Sequence, residues 1–120
     1  MTDSPRAKRS PASYADIAPK LAALTDEVLF GDVWERPELS KRERSLITVA
    51  ALAALYRLEQ LPYHLRLALK NGLTREEIVE VMTHLSFYVG WPAAVSGINS
   101  AREVFAECDQ ASTPPESSGR

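Results

Sequence analysis

Leu46-Ile-Thr-Val-Ala-Ala-Leu-Ala-Ala-Leu-Tyr56 is the stretch that decides the fold. It contains neither glycine nor proline, and Ser40 with Glu43 ahead of it forms a capping-box pattern, so it reads as a helix opening at Ser40. Almost no face of this helix is polar. A helix that is apolar on every side must be surrounded, and a single small domain has few helices to surround it. Ala50, Ala51, Ala53 and Ala54 would let partner helices approach closely. The expectation is a homo-oligomer with this helix at or near a subunit interface.

Working outward, the punctuation is helical everywhere and no hairpin signal joins β-branched runs. A first helix is expected from about Tyr14 to Phe30, with Ile17, Leu21, Leu24, Val28 and Leu29 on one stripe, Pro19 in its first turns and Gly31 as its stop. A third, shorter helix takes Pro62 in its first turn and ends at Asn71-Gly72. A fourth opens at Thr74 with Glu77 completing a capping box, and Gly90 ends it. The fifth starts near Pro92 and runs through Val95, Ile98, Ala101, Val104 and Phe105 to about Glu107. The fold class is thus all-α, a bundle of about five helices over residues 13–108, with residues 1–12 and 109–120 read as disordered polar tails.

Composition narrows the function. At 120 residues with 45% hydrophobic and 25% charged, the chain is one globular domain's worth. A net charge of −2 argues against sequence-independent nucleic-acid binding, which needs a basic footprint. Cys108 is the single cysteine, so the chain forms no internal disulfide and no CxxC pair, and with two histidines it has no zinc-finger spacing. No role is assigned to Cys108, and a reduced, cytoplasmic setting is expected. The basic N-terminus lacks an apolar segment behind it, and the longest apolar stretch falls well short of the ~20 residues a spanning helix needs. A soluble protein with no membrane partner is expected.

The chemistry must come from polar residues placed where a core would have none. His64 and Arg66 fall in the first turns of the third helix, with Glu59 just before it. Near a helix N-terminus and a guanidinium, the imidazolium form is disfavoured, so His64 is a candidate neutral base, or an anion holder together with Arg66 and Arg44. The alternative is a histidine that only bonds neighbouring backbone. Arg44 lies just before the apolar run and can face inward, where it would need an anionic partner. His84 and Tyr88 share one face of the fourth helix, either as a structural hydrogen bond or as a ligand contact. Gly90-Trp91-Pro92 brings a helix end, an aromatic corner and a helix start together.

Taken in order, Leu29-Phe-Gly-Asp-Val-Trp34-Glu35-Arg36-Pro37, Leu39-Ser-Lys-Arg-Glu43-Arg44, Pro62-Tyr-His64-Leu-Arg66, Asn71-Gly72-Leu-Thr74-Arg-Glu-Glu77 and His84 through Tyr88-Val-Gly90-Trp91-Pro92 resemble the carboxymuconolactone decarboxylase family across residues 14–107. The resemblance implies an all-α bundle assembled as a ring, commonly a hexamer built as a trimer of dimers, or a trimer. One branch of the family, alkylhydroperoxidase-like, uses CxxCxxxH; with its histidine placed on His64, the cysteine positions fall on Arg57 and Gln60. Without two thiols the sulfenic-acid and disulfide cycle cannot run, so thiol peroxidase chemistry is excluded.

The other branch resembles a carboxy-lyase of aromatic-acid catabolism that acts on γ-carboxymuconolactone, a small anionic substrate, and uses no cofactor and no metal. Decarboxylation leaves a dienolate, which calls for an oxyanion donor, cations for carboxylates and an acid for carbon. The resemblance then implies His64 as proton donor or oxyanion partner, with Glu59 orienting or recharging it. It implies Arg44 and Arg66 as carboxylate binders, and His84, Tyr88 and Trp91 as the pocket lining. The alternatives are a relative acting on another small lactone or enol, and a small-molecule-binding protein without turnover.

Overall fold

Proline sets where the first helix can begin. In the computed structural model, which describes residues 12–111, Ala18 stands outside helical geometry at ψ 65° because Pro19 disfavours an α conformation before it, and α1 starts at Pro19. The readings of residues 1–11 and 112–120 as tails lie outside the described residues. The chain divides into one unit up to Lys41 and another from Arg42 onward.

In the first unit, α1 (Pro19–Ala23) widens into a π-helical stretch over Leu24–Leu29, followed by a 3-10 turn at Val33–Glu35. This corrects the expected regular helix over Tyr14–Phe30. Thr25 explains part of the widening, since its hydroxyl donates to the Leu21 carbonyl at 2.9 Å and meets the Tyr14 hydroxyl at 2.6 Å. Residues 13–17 form turns. The apolar stripe is also placed differently from the expectation, because Ile17, Leu21, Leu24, Val28 and Leu29 are all exposed. Trp34 is buried, tilted against Phe30 with ring centroids 5.6 Å apart, and Lys41 reaches Glu35 at 2.9 Å.

The second unit carries α2 (Lys41–Ala54, whose first residue closes the first unit), α3 (Leu61–Lys70), α4 (Arg75–Val89) and α5 (Trp91–Ala111). Among the described residues there is no strand, in agreement with the all-α expectation. The core is built from Val49, Ala53, Leu61, Leu65, Ala68, Leu73, Ile78, Met82, Ala101 and Val104. Helical spacing accounts for this set: Ser45, Val49 and Ala53 on α2 and Leu61, Leu65 and Ala68 on α3 are stripes of residues three or four apart. α4 and α5 run close together at Gly97, where an added Cβ would lie 2.5 Å from Met82 Sδ. The last helix continues past its expected end to Ala111, held there by an Arg75–Asp109 ion pair at 2.7 Å.

Two helices end in the same way. After α3, the Gly72 amide donates to Leu69 O and the Leu73 amide to Ala68 O; after α2, the Tyr56 amide donates to Ala53 O and the Arg57 amide to Leu52 O. Both sets are the paired bonds of a Schellman turn, whose outer residue sits at positive φ and is usually glycine. Gly72 has φ 109°, whereas the tyrosine at position 56 has φ 62°.

The start of α2 is fastened to the other helices. Fully buried Ser45 accepts a hydrogen bond from Asn71 Nδ2 at 3.0 Å, and Arg42 pairs with Glu77. Glu77 is the expected capping-box residue: its amide donates to Thr74 Oγ1 at 3.0 Å, and its carboxylate accepts from the Thr74 amide at 2.9 Å. One carboxylate therefore closes α4 and holds Arg42.

Candidate active site

His64 sits in the first turn of α3, three residues after fully buried Leu61 and one before fully buried Leu65, so it lies at the flank of the core stripe and is half-buried. Asn71, seven residues further on, shares this flank by helical periodicity, and Asn71 bonds Ser45 of α2. Burial removes water from the imidazole and pushes its pKa below the ordinary 6.5, which keeps the ring neutral at pH 7. Its Nδ1 is shut off from solvent. Tyr63 stands edge-on to the ring with centroids 5.0 Å apart.

Arg44, on the first turn of α2, is half-buried with its Nε shut off from solvent, as expected for an inward-facing guanidinium. Its carbonyl accepts a bond from Thr48 Oγ1 at 2.8 Å. Arg66 is placed differently. Two residues from His64, it is turned about 200° around the helix, and it forms an exposed ion pair with Glu107 of α5 at 3.1 Å. α3 therefore does not present His64 and Arg66 on one face. Glu59 is exposed in the segment between α2 and α3.

The other expected lining residues gather at the junction of α4 and α5. His84 and Tyr88 stack with ring centroids 4.9 Å apart at 28°, a ring contact in place of the hydrogen bond that helical spacing allows. Phe87 meets Trp91 edge-on at 5.4 Å. His84, Tyr88 and Trp91 are exposed. Cys108 is half-buried against the core. Among the described residues no three His, Cys, Asp or Glu side chains gather in a metal-holding group, and no helix is long and apolar enough to cross a membrane.

Sequence reasoning missed Ser45, Asn71 and Tyr56. Asn71-Gly72 is legible as a helix stop, but nothing in the sequence says that the Asn71 amide reaches back to α2. Tyr56 was counted only as the end of the apolar run.

The chemical content of this arrangement is a neutral imidazole at the edge of an apolar core, with a half-buried guanidinium on the neighbouring helix. A family model described as the carboxymuconolactone decarboxylase family matches residues 19–103. A protein of Acinetobacter baylyi named 4-carboxymuconolactone decarboxylase is 44% identical over 78 residues, covering 65% of this chain and 58% of that protein. A nitrosuccinic acid decarboxylase of Metarhizium robertsii is 35% identical over 75 residues, covering 62% of this chain and 52% of its own length. A Paracoccus denitrificans protein described as an uncharacterized 15.0 kDa protein is 32% identical over 96 residues, covering 78% of this chain and 72% of that protein. The chain spans little more than half the length of the two decarboxylases.

Proposed function

Because the chain belongs to the carboxymuconolactone decarboxylase family, we propose that it is a carboxy-lyase acting on a small carboxylated lactone such as γ-carboxymuconolactone. The observation that carries this reading is the half-buried, neutral His64 at the flank of the α3 core stripe, in a chain 44% identical over 78 residues to a relative named for that reaction. In the reaction the carbon–carboxylate bond breaks, carbon dioxide leaves, and the electron pair enters a dienolate conjugated with the lactone carbonyl. A neutral imidazole N–H donates a hydrogen bond to the developing oxyanion. A proton from solvent then reaches carbon to give the enol-lactone while the neutral His64 N–H holds the dienolate oxygen, with Glu59 orienting the ring. Arg44 holds one carboxylate. Arg66 binds a second only by releasing Glu107, so its contribution is to substrate affinity. His84, Tyr88 and Trp91 supply an aromatic wall.

The same reading makes the protein a cytoplasmic homo-oligomer, a hexamer or trimer. Its support is the outer face of α2, where Ile47 and Ala51, with Leu55 just past the helix end, form an exposed apolar stripe four residues apart.

A second substrate reading is favoured by the nitrosuccinic acid decarboxylase relative: an acyclic small carboxylic acid decarboxylated at the same histidine. Carbon dioxide release by the purified full chain, measured with γ-carboxymuconolactone and with nitrosuccinic acid in parallel, separates the two. Release from the lactone is expected. Release from nitrosuccinic acid alone moves the assignment to the second reading, and release from neither contradicts both.

A further inference from the structure

The start of α2 carries a polar pair that neither of its helices requires. Ser45, Val49 and Ala53 form the fully buried ridge of α2, a helix that places alanine at 50, 51, 53 and 54. An alanine at 45 would fill the same ridge with no hydroxyl to satisfy. Asn71 is equally unforced, because the turn after α3 is made by backbone bonds and by Gly72 at φ 109°. Yet the Asn71 amide donates to the Ser45 hydroxyl, 26 residues away in the chain, at 3.0 Å. One such bond adds little net stability. What it adds that an apolar contact cannot is direction, since a hydrogen bond weakens steeply off its axis while hydrophobic burial has no preferred angle.

A second polar tie lies on the same side of α2. Arg42, three residues before Ser45, pairs with Glu77, which is itself fixed by the Thr74 cap of α4. The opening of α2 is thus fastened at two points, to the end of α3 and to the start of α4. Arg44 stands between them in sequence. It is half-buried, its Nε is shut off from solvent, and its carbonyl accepts from Thr48 at 2.8 Å. A side chain carried about 6 Å from a helix axis moves about 1 Å when the helix turns by roughly 10°. A displacement of about 1 Å at a group that positions substrate is large enough to weaken binding or rate. Two directional ties at the opening of α2 oppose that rotation.

We propose that Asn71 is a positioning residue: through Ser45 it sets the rotation of the opening turn of α2, and with it the place of the Arg44 guanidinium that receives a substrate carboxylate. The inference rests on the reading of Arg44 as a carboxylate binder and adds that affinity for the anionic substrate is set from the far end of α3. Asn71 acts on that affinity through Arg44 and takes no part in bond breaking.

The test uses the full chain and two readouts, with circular dichroism as the check on folding. NMR of isotope-labelled protein follows exchange of the Arg44 Nε–H with water, and steady-state kinetics with γ-carboxymuconolactone gives KM and kcat. The variants are Asn71→Ala, Ser45→Ala, Arg44→Gln and the double variant Asn71→Ala/Arg44→Gln. Ser45→Ala introduces the residue that α2 already buries at 53, so it serves where Asn71→Ala fails to fold. Asn71→Ala and Ser45→Ala are each expected to speed Arg44 Nε–H exchange about tenfold while leaving the exposed Arg66 unchanged. Each should also raise KM about tenfold with kcat within about twofold of wild type, the pattern of lost ground-state binding. Once Arg44 is already glutamine, Asn71→Ala should add less than about twofold to KM, because the two residues act as one unit. An active wild type whose KM is unchanged by Asn71→Ala and Ser45→Ala overturns the positioning role and leaves the proposed reaction standing. An equal rise in KM with and without Arg44 also overturns it, since the loss then comes through the fold at large. A wild type without turnover overturns the reaction, and unchanged Nε–H exchange in the two variants then overturns the positioning role as well.

Discussion

The turns that end α2 and α3 share their hydrogen bonds and differ in the residue placed at positive φ. At the end of α3, Gly72 adopts φ 109° without a Cβ to clash, and it is framed by Asn71 bonding Ser45 and by the Thr74–Glu77 capping box tied to Arg42. Every polar residue there serves the subunit itself. At the end of α2, Tyr56 adopts φ 62° and is half-exposed, and its side chain accepts one hydrogen bond, from Ser96 at 3.3 Å. One turn optimises the fold. The other places a bulky side chain where glycine would relieve the backbone, so one hydrogen-bond pattern is built at two different local costs.

Gly72→Ala forces an L-residue to a φ it rarely adopts and is expected to cost about 2 kcal/mol, read as a lowered urea midpoint at fixed protein concentration. Asn71→Ala leaves the fully buried Ser45 hydroxyl without its donor and is expected to cost about 1.5 kcal/mol by the same assay. Tyr56→Gly should run the other way, gaining about 1 kcal/mol in the unfolding free energy of the dissociated chain. A loss there would mean that the ring stabilises its own subunit, and the contrast between the turns would collapse.

The smallest effect concerns pH. The Glu77 carboxyl is held below its ordinary range, first by the Thr74 backbone bond and then by Arg42. Its contribution to stability is therefore fully present above the unfolded value of 4.5 and is lost as pH falls through the lowered folded value. Thermal melts from pH 6 downward should show Glu77→Gln with a flatter acid limb than wild type. Parallel limbs would contradict the role given to that carboxylate.

Much of this was legible in the sequence. The Thr74–Glu77 capping box, Asn71-Gly72 and Gly90 mark real helix ends because local backbone chemistry sets them. The apolar pattern located α2 through α5 because burial follows helical period. The same pattern misled at Ile17, Leu21, Leu24 and Val28, since an apolar stripe looks alike whether it faces its own core or is left exposed. His64 stood out as a polar residue in an apolar helix, but its partial burial arises from helices distant in sequence. The separation of Arg66 from His64 follows from helix geometry alone and could have been read. The conformation of Tyr56 could not, since no local residue signals a tyrosine in a glycine position.

Decarboxylation by a neutral His64 is tested most directly by the pH dependence of carbon dioxide release from γ-carboxymuconolactone by wild type and His64→Ala. With its pKa lowered by burial, His64 is neutral through the neutral range. The wild-type rate should therefore be level from about pH 7 upward and fall only on the acid side of 6.5, as the imidazole takes up a proton. His64→Ala, still folded, should lose about 100-fold or more. A wild-type rate that rises as pH drops through 6.5, or a folded His64→Ala variant that keeps its rate, would contradict the account.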